Sequence, residues 1–461
     1  MMKRILVGVA FVGATVSAQA ADLPVKAPYY KAPAAMVYDW TGFYIGVNAG
    51  VGIGRDRTQH FIPAISADSL YLSPQGGLGG GQIGYNWQTD SLLGPLVLGV
   101  ETDIQGTGMR DSYPNVFPVV GYSQKLDWFG TVRGRVGLAH GPVLSYVTAG
   151  YAYGSVNTSV TEGGTPVFSG NKMRSGWTFG SGVEAALGGN WTGKIEYLYL
   201  DLDNKTDTFT GFNIPQTLTT EVRENIFRAG LNYRIGGNST YAPAVTANWS
   251  GFYLGGNFGS GTGRDRSTLA MSGFPINEQF NLAPDGVNGG VQAGYNWQAA
   301  NWVYGLEADI QGSSQRDNKT CILTCTPVLS AAYDAKLPWF GTVRGRLGYS
   351  VGSTLFYATG GFAYGSVKTN INFMNAALVS ISGNKSGWTA GAGIETPFTL
   401  LGLFGPNWTS KTEYLYVDLG SQSTLPFNVL GAPFVASTKV TEHIFRTGLN
   451  YHFNTPVVAK Y

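Results

Sequence analysis

The strongest constraint on this chain is that it is written twice. Trp128 to Arg135 reads WFGTVRGR, and the same eight residues return at Trp339 to Arg346. Trp40-Thr-Gly-Phe-Tyr recurs as Trp249-Ser-Gly-Phe-Tyr, GYNWQ at Gly84 recurs at Gly294, and EYLY at Glu196 recurs at Glu413. IFRAGLNYRI from Ile226 comes back as IFRTGLNYHF from Ile444. The copies run over 40–235 and 249–453, and the stretches between matched blocks differ in sequence and length. Matched blocks read as scaffold and unmatched stretches as loops.

Each copy holds eight blocks, in the first near 40–50, 79–88, 96–105, 126–138, 143–155, 175–187, 191–202 and 223–235. Each is close to the roughly 9 to 11 residues that cross a bilayer as a tilted strand. The gaps alternate strictly: Thr89 to Pro95, Ala139 to Pro142 and Gly188 to Asn190 are short, whereas Val51 to Leu78, Gly106 to Lys125, Val156 to Arg174 and Asp203 to Val222 are long. Short turns alternating with long connections on an even number of antiparallel strands predict an all-β, antiparallel transmembrane β-barrel. Composition agrees. Charged residues make up 13% of the chain, and its 66 glycines are about twice the ordinary share. Mean hydropathy is −0.02. Beyond residue 20 no apolar run approaches the roughly 18 residues of a transmembrane helix, which excludes a helical membrane protein. A net charge of +2 leaves no basic field for nucleic acid.

Residues 1–20 read as a signal peptide, with Lys3 and Arg4, an apolar Ile5 to Val16 stretch and an Ala18-Gln19-Ala20 cleavage site. Residues 21–39 then form a periplasmic Pro-rich segment, 236–248 a periplasmic linker and 454–461 a tail.

Alternation within the strands assigns the faces. Arginine near the bilayer midplane costs about 2 to 4 kcal/mol, so Arg133 and Arg135 must point inward. The same test puts Glu101, Asp103, Glu184, Lys194, Glu196 and Arg228 in the first lumen. At the matching positions stand Glu307, Asp309, Arg344, Arg346, Glu395, Lys411, Glu413 and Arg446. Each set balances four acids with four bases. An eight-stranded barrel has an interior just wide enough for side chains to fill, whereas sixteen strands leave an aqueous channel. Self-neutral lumens, with lumen-side glycines such as Gly46, Gly50 and Gly84 beside long side chains, favour two tandem eight-stranded barrels. One sixteen-stranded barrel is the alternative. Outward aromatics including Phe43, Trp87, Tyr151, Trp177 and Phe227 are expected to form interfacial girdles.

The start DLPVKAPYYKAP, the motif DWTGFYIG, WFGTVRGR, the EYLYLDL strand and the closing FRAGLNYRI and FRTGLNYHF together resemble the porin-family outer-membrane β-barrels of alphaproteobacteria, a group that includes surface immunogens, and more distantly OmpA and OmpX. The resemblance implies an eight-stranded barrel per copy and placement in the outer membrane. It also implies a structural or porin-like, small-solute permeability role, with surface binding or adhesion through the loops, haemin binding included, as the alternative. Two features depart from that pattern: the duplication, and the NTPVVAKY that follows Phe453, since such chains commonly end at an aromatic on the last strand.

No convergent catalytic set is legible. His60, His140, His443 and His452 are scattered, and each reads as a surface or structural histidine. Glu101 and Asp103 read as ion-pair partners of the arginines, and GGLGGG at Gly76 precedes a strand, so it is no phosphate cradle. No enzyme, cofactor or metal is therefore expected. Cys321 and Cys325 are expected to form a disulfide in an oxidising compartment if the turn between them brings their Cα atoms within about 7 Å, with free thiols as the alternative. The expected partners are outer-membrane lipids, the barrel-assembly machinery and, through the loops, host or surface ligands.

Overall fold

The computed structural model describes residues 38–63, 66–114, 120–236, 247–273, 277–322, 331–373, 376–398, 404–429 and 431–453. The expected signal peptide, the C-terminal tail and nearly all of the linker lie outside them. So does Cys325, and with it the expected disulfide.

The first copy forms β1 (Gly42–Gly54), β2 (Asp56–Ile62), β3 (Ser66–Leu72), β4 (Gln75–Ser91), β5 (Gly94–Pro114), β6 (Val120–His140), β7 (Val143–Glu162), β8 (Thr165–Gly188), β9 (Trp191–Gly211) and β10 (Ile214–Ile235). Eight of these, β1 and β4 to β10, pair antiparallel in chain order, and β1 closes the ring on β10 with Ala49 opposite Ala229. The second copy forms β11 (Gly251–Gly263), β12 (Asp265–Met271), β13 (Asn277–Leu282), β14 (Asp285–Ala299), β15 (Trp302–Ile322), β16 (Ala331–Val351), β17 (Thr354–Phe373), β18 (Ala376–Pro397), β19 (Trp408–Ser423), β20 (Phe427–Val429) and β21 (Ala432–His452). Here β11 closes on β21, with Asn257 opposite Gly448. The chain therefore makes two tandem eight-stranded barrels, and the sixteen-stranded alternative is set aside by these two closures.

Alternation holds along the ring strands. On β6, Arg133 and Arg135 are buried, whereas Val132 and Val136 are 52% and 47% exposed. Exposed Ile45, Val47, Ile83, Val100, Ile104 and Val147 continue that outward apolar belt.

The long connections are not loops. β5 and β6 are each 21 residues, about twice what a bilayer crossing needs. Strand pairing simply continues beyond the belt, because sequences such as VNTSVTE on β7 and TLTTEV on β10 are rich in β-branched residues and pair with their ring neighbours, β7 with β6 and β8 and β10 with β9. The extension starts at a bulge placed alike in both copies, at Gly106/Met109 and at Gly312/Gln315. Bulges bend a strand and redirect its side chains. Above β1 and β4 the wall is completed by the β2–β3 hairpin, with Thr58 to Phe61 opposite Thr217 to Thr220 of β10. β12 and β13 repeat this beside β21.

Candidate functional site

Each lumen is filled in three layers. At the short-turn end Trp40, 1% exposed, donates Nε1–H to the Gly141 carbonyl at 3.1 Å and packs with Tyr38, Val97, Leu144 and Tyr146. Trp249 does the same in the second barrel, donating to Ser350 Oγ at 3.1 Å. At the extension end Met109, Leu126, Phe129, Leu198, Leu200 and Ile226 form an apolar layer, answered by Leu337, Phe340, Val367, Leu415 and Ile444.

Between these layers the sixteen charges named from the sequence meet in two networks. Arg133 pairs through Nη2 with Glu101 and, at 2.9 Å, with Asp103; its Nη1 reaches Glu196 Oε1 at 3.1 Å. Arg228 spans Asp103 at 2.8 Å and Glu196 at 2.6 Å, and Lys194 Nζ lies 2.9 Å from Glu101 Oε1. Arg135 takes Glu184 at 3.0 Å and sits over the rings of Tyr44 and Tyr146. The second lumen repeats the pattern: Arg344 with Glu307, Asp309 and Glu413, Arg446 with Asp309 and Glu413, Lys411 with Glu307, and Arg346 with Glu395 at 2.6 Å. A buried charge is tolerated when it is paired and its remaining donors and acceptors are satisfied. Neutral side chains that the sequence reading passed over supply that satisfaction. Tyr44 donates to Glu101 Oε2 at 2.8 Å, Tyr146 to Glu196 Oε1 at 2.9 Å and Asn232 to Glu184 Oε1 at 2.8 Å. Their signal was present, since they occupy the same alternating face as the charges. Glycine makes the room: a methyl group at Gly84 would fall on the Tyr44 hydroxyl.

A second buried polar set was missed altogether. Asp56, at the start of the β2 extension, and Glu224 are fully buried, and burial pushes the Asp56 carboxyl up to about 8. Neither Glu224 oxygen has a hydrogen-bond partner among the described residues. Asp265 and Glu442 are the matching pair in the other barrel. His60 is likewise inside, its Nδ1 2.8 Å from the Tyr122 hydroxyl and its Nε2 2.6 Å from Gln216 Oε1, a structural histidine whose pKa burial lowers.

The barrels join along a seam that is reciprocal. Arg55 pairs with Asp317 at 2.6 Å, and its counterpart Arg264 pairs with Asp111, the counterpart of Asp317, at 3.0 Å. Tyr197 stacks on Phe445, and Tyr414 packs on Phe227. Residue i touching j while j touches i is the mark of a two-fold, isologous interface. Phe227 is outward on its strand but only 3% exposed, so it belongs to this seam and not to the aromatic girdle. Beyond the belt β3 runs beside β15, and β13 beside β5, so each hairpin edge is covered by the other barrel. The two sets of extensions share one core, Leu70, Leu72, Tyr113 and Tyr122 with Phe280, Leu282, Tyr333 and Phe434 among others. Lys319, 1% exposed, ends over the Tyr113 ring at 3.6 Å, and burial brings its pKa down to about 8.

A 31 kDa outer-membrane immunogenic protein of Brucella melitensis is 41% identical over 223 residues, 46% of this chain and 88% of the relative. A 22 kDa outer membrane protein of Rhizobium leguminosarum bv. viciae is 35% identical over 186 residues, 39% of this chain and 70% of the relative. Among solved structures, Neisserial surface protein A is similar at 17% identity, covering 42% of this chain and 98% of that one, with a TM-score of 0.23. The outer membrane protein beta-barrel domain matches residues 9–234 and again residues 235–453, so the chain belongs to that family of the Gram-negative outer membrane and carries its domain twice.

Proposed function

We propose that this protein is a structural element of the outer membrane, a closed pair of barrels anchoring a shared β-structured head, and not an open path for small solutes. The observation that carries the reading is the three-layer filling of each lumen. Trp40 or Trp249 at one end, an apolar layer at the other and a neutral ion-pair network between them leave no continuous polar route among the described residues. A solute-conducting barrel needs a wide, water-lined interior, which larger strand numbers provide. The head supports a further part of the reading, presentation of a fixed surface outside the membrane, because its strands extend well past the belt over one common core.

Purified full-length chain reconstituted in a planar bilayer tests this. The expected record shows no stable current steps under an applied potential. Persistent openings in the nanosiemens range would overturn the closed reading.

A further inference from the structure

The seam leaves two clefts, one on each side of it, and these repeat the two-fold relation of the barrels. The first, of about 1420 Å³, lies between Val136, Val147 and Val183 of the first barrel and Leu254, Phe258 and Leu449 of the second. The second, of about 740 Å³, lies between Val47, Ile195 and Leu231 of the first barrel and Leu347, Phe356 and Ile394 of the second. The counterparts Val183 and Ile394 line one cleft each. Both clefts reach the short-turn rim, where Trp408 and Tyr451 flank the larger one and Trp302 and Tyr349 the smaller.

We infer that each cleft is a binding site for the acyl chains of a phospholipid from the periplasmic leaflet. Both walls are continuous with the apolar belt of an outer-membrane barrel, so bilayer hydrocarbon is what reaches them. The barrels cannot close the gap by moving together, because direct contacts hold their spacing. Tyr197 packs on Phe445 and Tyr414 on Phe227, and Val143, Val183 and Ala185 meet Ile394 in a further buried cluster. Water does not fill an apolar space of this kind, and an unfilled void forfeits the dispersion contacts of its lining. The source follows from depth. The clefts open at the end with the short turns, which in such barrels is the periplasmic end. That leaflet of the outer membrane is phospholipid, whereas the glycolipid occupies the outward one. A chain packed between two rigid walls has lost much of its contact with the mobile bilayer. It should therefore leave slowly.

Native mass spectrometry of the full chain, purified in mild detergent, tests the assignment. The expected spectrum retains two phospholipid masses per protein. Gly256 and Ala49 are outward, exposed positions at the matching clefts, so Gly256→Trp and Ala49→Trp fill the space without entering a lumen. Each should lower retention by one lipid and the double variant by both. Ala308→Trp, on the exposed face of β15 and outside both cleft linings, should leave the count at two. As a second measurement independent of any variant, wild-type chain stripped by prolonged detergent exchange should take up two molecules of phosphatidylethanolamine and no lipid A. The inference is overturned if the wild type retains no lipid, if the retained or rebound mass is the glycolipid, or if a folded, heat-modifiable double variant still holds both lipids.

Discussion

Replacing Arg133 by Met removes the cation on which three carboxylates converge in the first lumen. Glu101, Asp103 and Glu196 are its partners, each no more than 4% exposed, and the substitution leaves four acids facing three bases. Removing one member of a buried ion network costs about 3 to 5 kcal/mol, because the surviving charges stay desolvated. The same change in a water-filled lumen would resemble loss of an exposed pair, about 0 to 1 kcal/mol. Urea unfolding in detergent micelles, followed by heat-modifiable gel migration and tryptophan fluorescence, distinguishes the two. The equivalent arginine, Arg344, is untouched, so the single transition should split, with the first barrel unfolding at lower urea and the second near its original midpoint. Adding Asp103→Asn restores neutrality and should recover part of the loss, since Arg228 still holds Glu196. A loss below about 1 kcal/mol for Arg133→Met would show that water stands in for the guanidinium. The filled-lumen reasoning would then fail.

Gly84→Val should destabilise the first barrel by about 1 to 3 kcal/mol in the same assay, because the added carbons fall on the Tyr44 ring, and Tyr44→Ala in that background should recover part of it. If a protease site is placed in the 236–248 linker and cut after folding, the wild-type halves should co-migrate in size exclusion. Arg55→Glu with Arg264→Glu should weaken their association by about tenfold or more per reversed pair, about 1.4 kcal/mol each. Lys319 should make stability depend on pH. Its folded pKa, about 8, lies below the ordinary lysine value of 10.5, so between these limits the unfolded chain binds more protons and stability rises with pH. The groups acting on it are Asp111, Glu278, Asp317 and the Tyr113 ring. Lys319→Met should flatten the rise by up to about 3 kcal/mol, read as the difference between the two chains' pH profiles.

The duplication, the ring strands and the inward-looking side of each strand are legible in the amino-acid sequence alone. Those properties are local: a repeat is visible as identity, and a period of two with arginine excluded from lipid leaves one assignment for Arg133 and Arg344. The four-acid, four-base balance of each copy could also be counted before any contact was known, and it pointed to separate rings. Three features emerge only in the folded chain. The long connections became strands because, outside the bilayer, residues are not forced into apolar-out alternation, and pairing depends on what the neighbouring strand offers. Asp56 and Glu224 lie in different parts of the chain and become a buried pair only when β1 closes on β10. The seam was the least legible. Phe227 reads as a girdle aromatic, Arg55 and Asp111 fall in stretches that read as long connections, and nothing along the chain says that Tyr414, Asp317 and Arg264 will cover them. A two-fold contact is a relation between two folded surfaces, and it exists only once both barrels have closed.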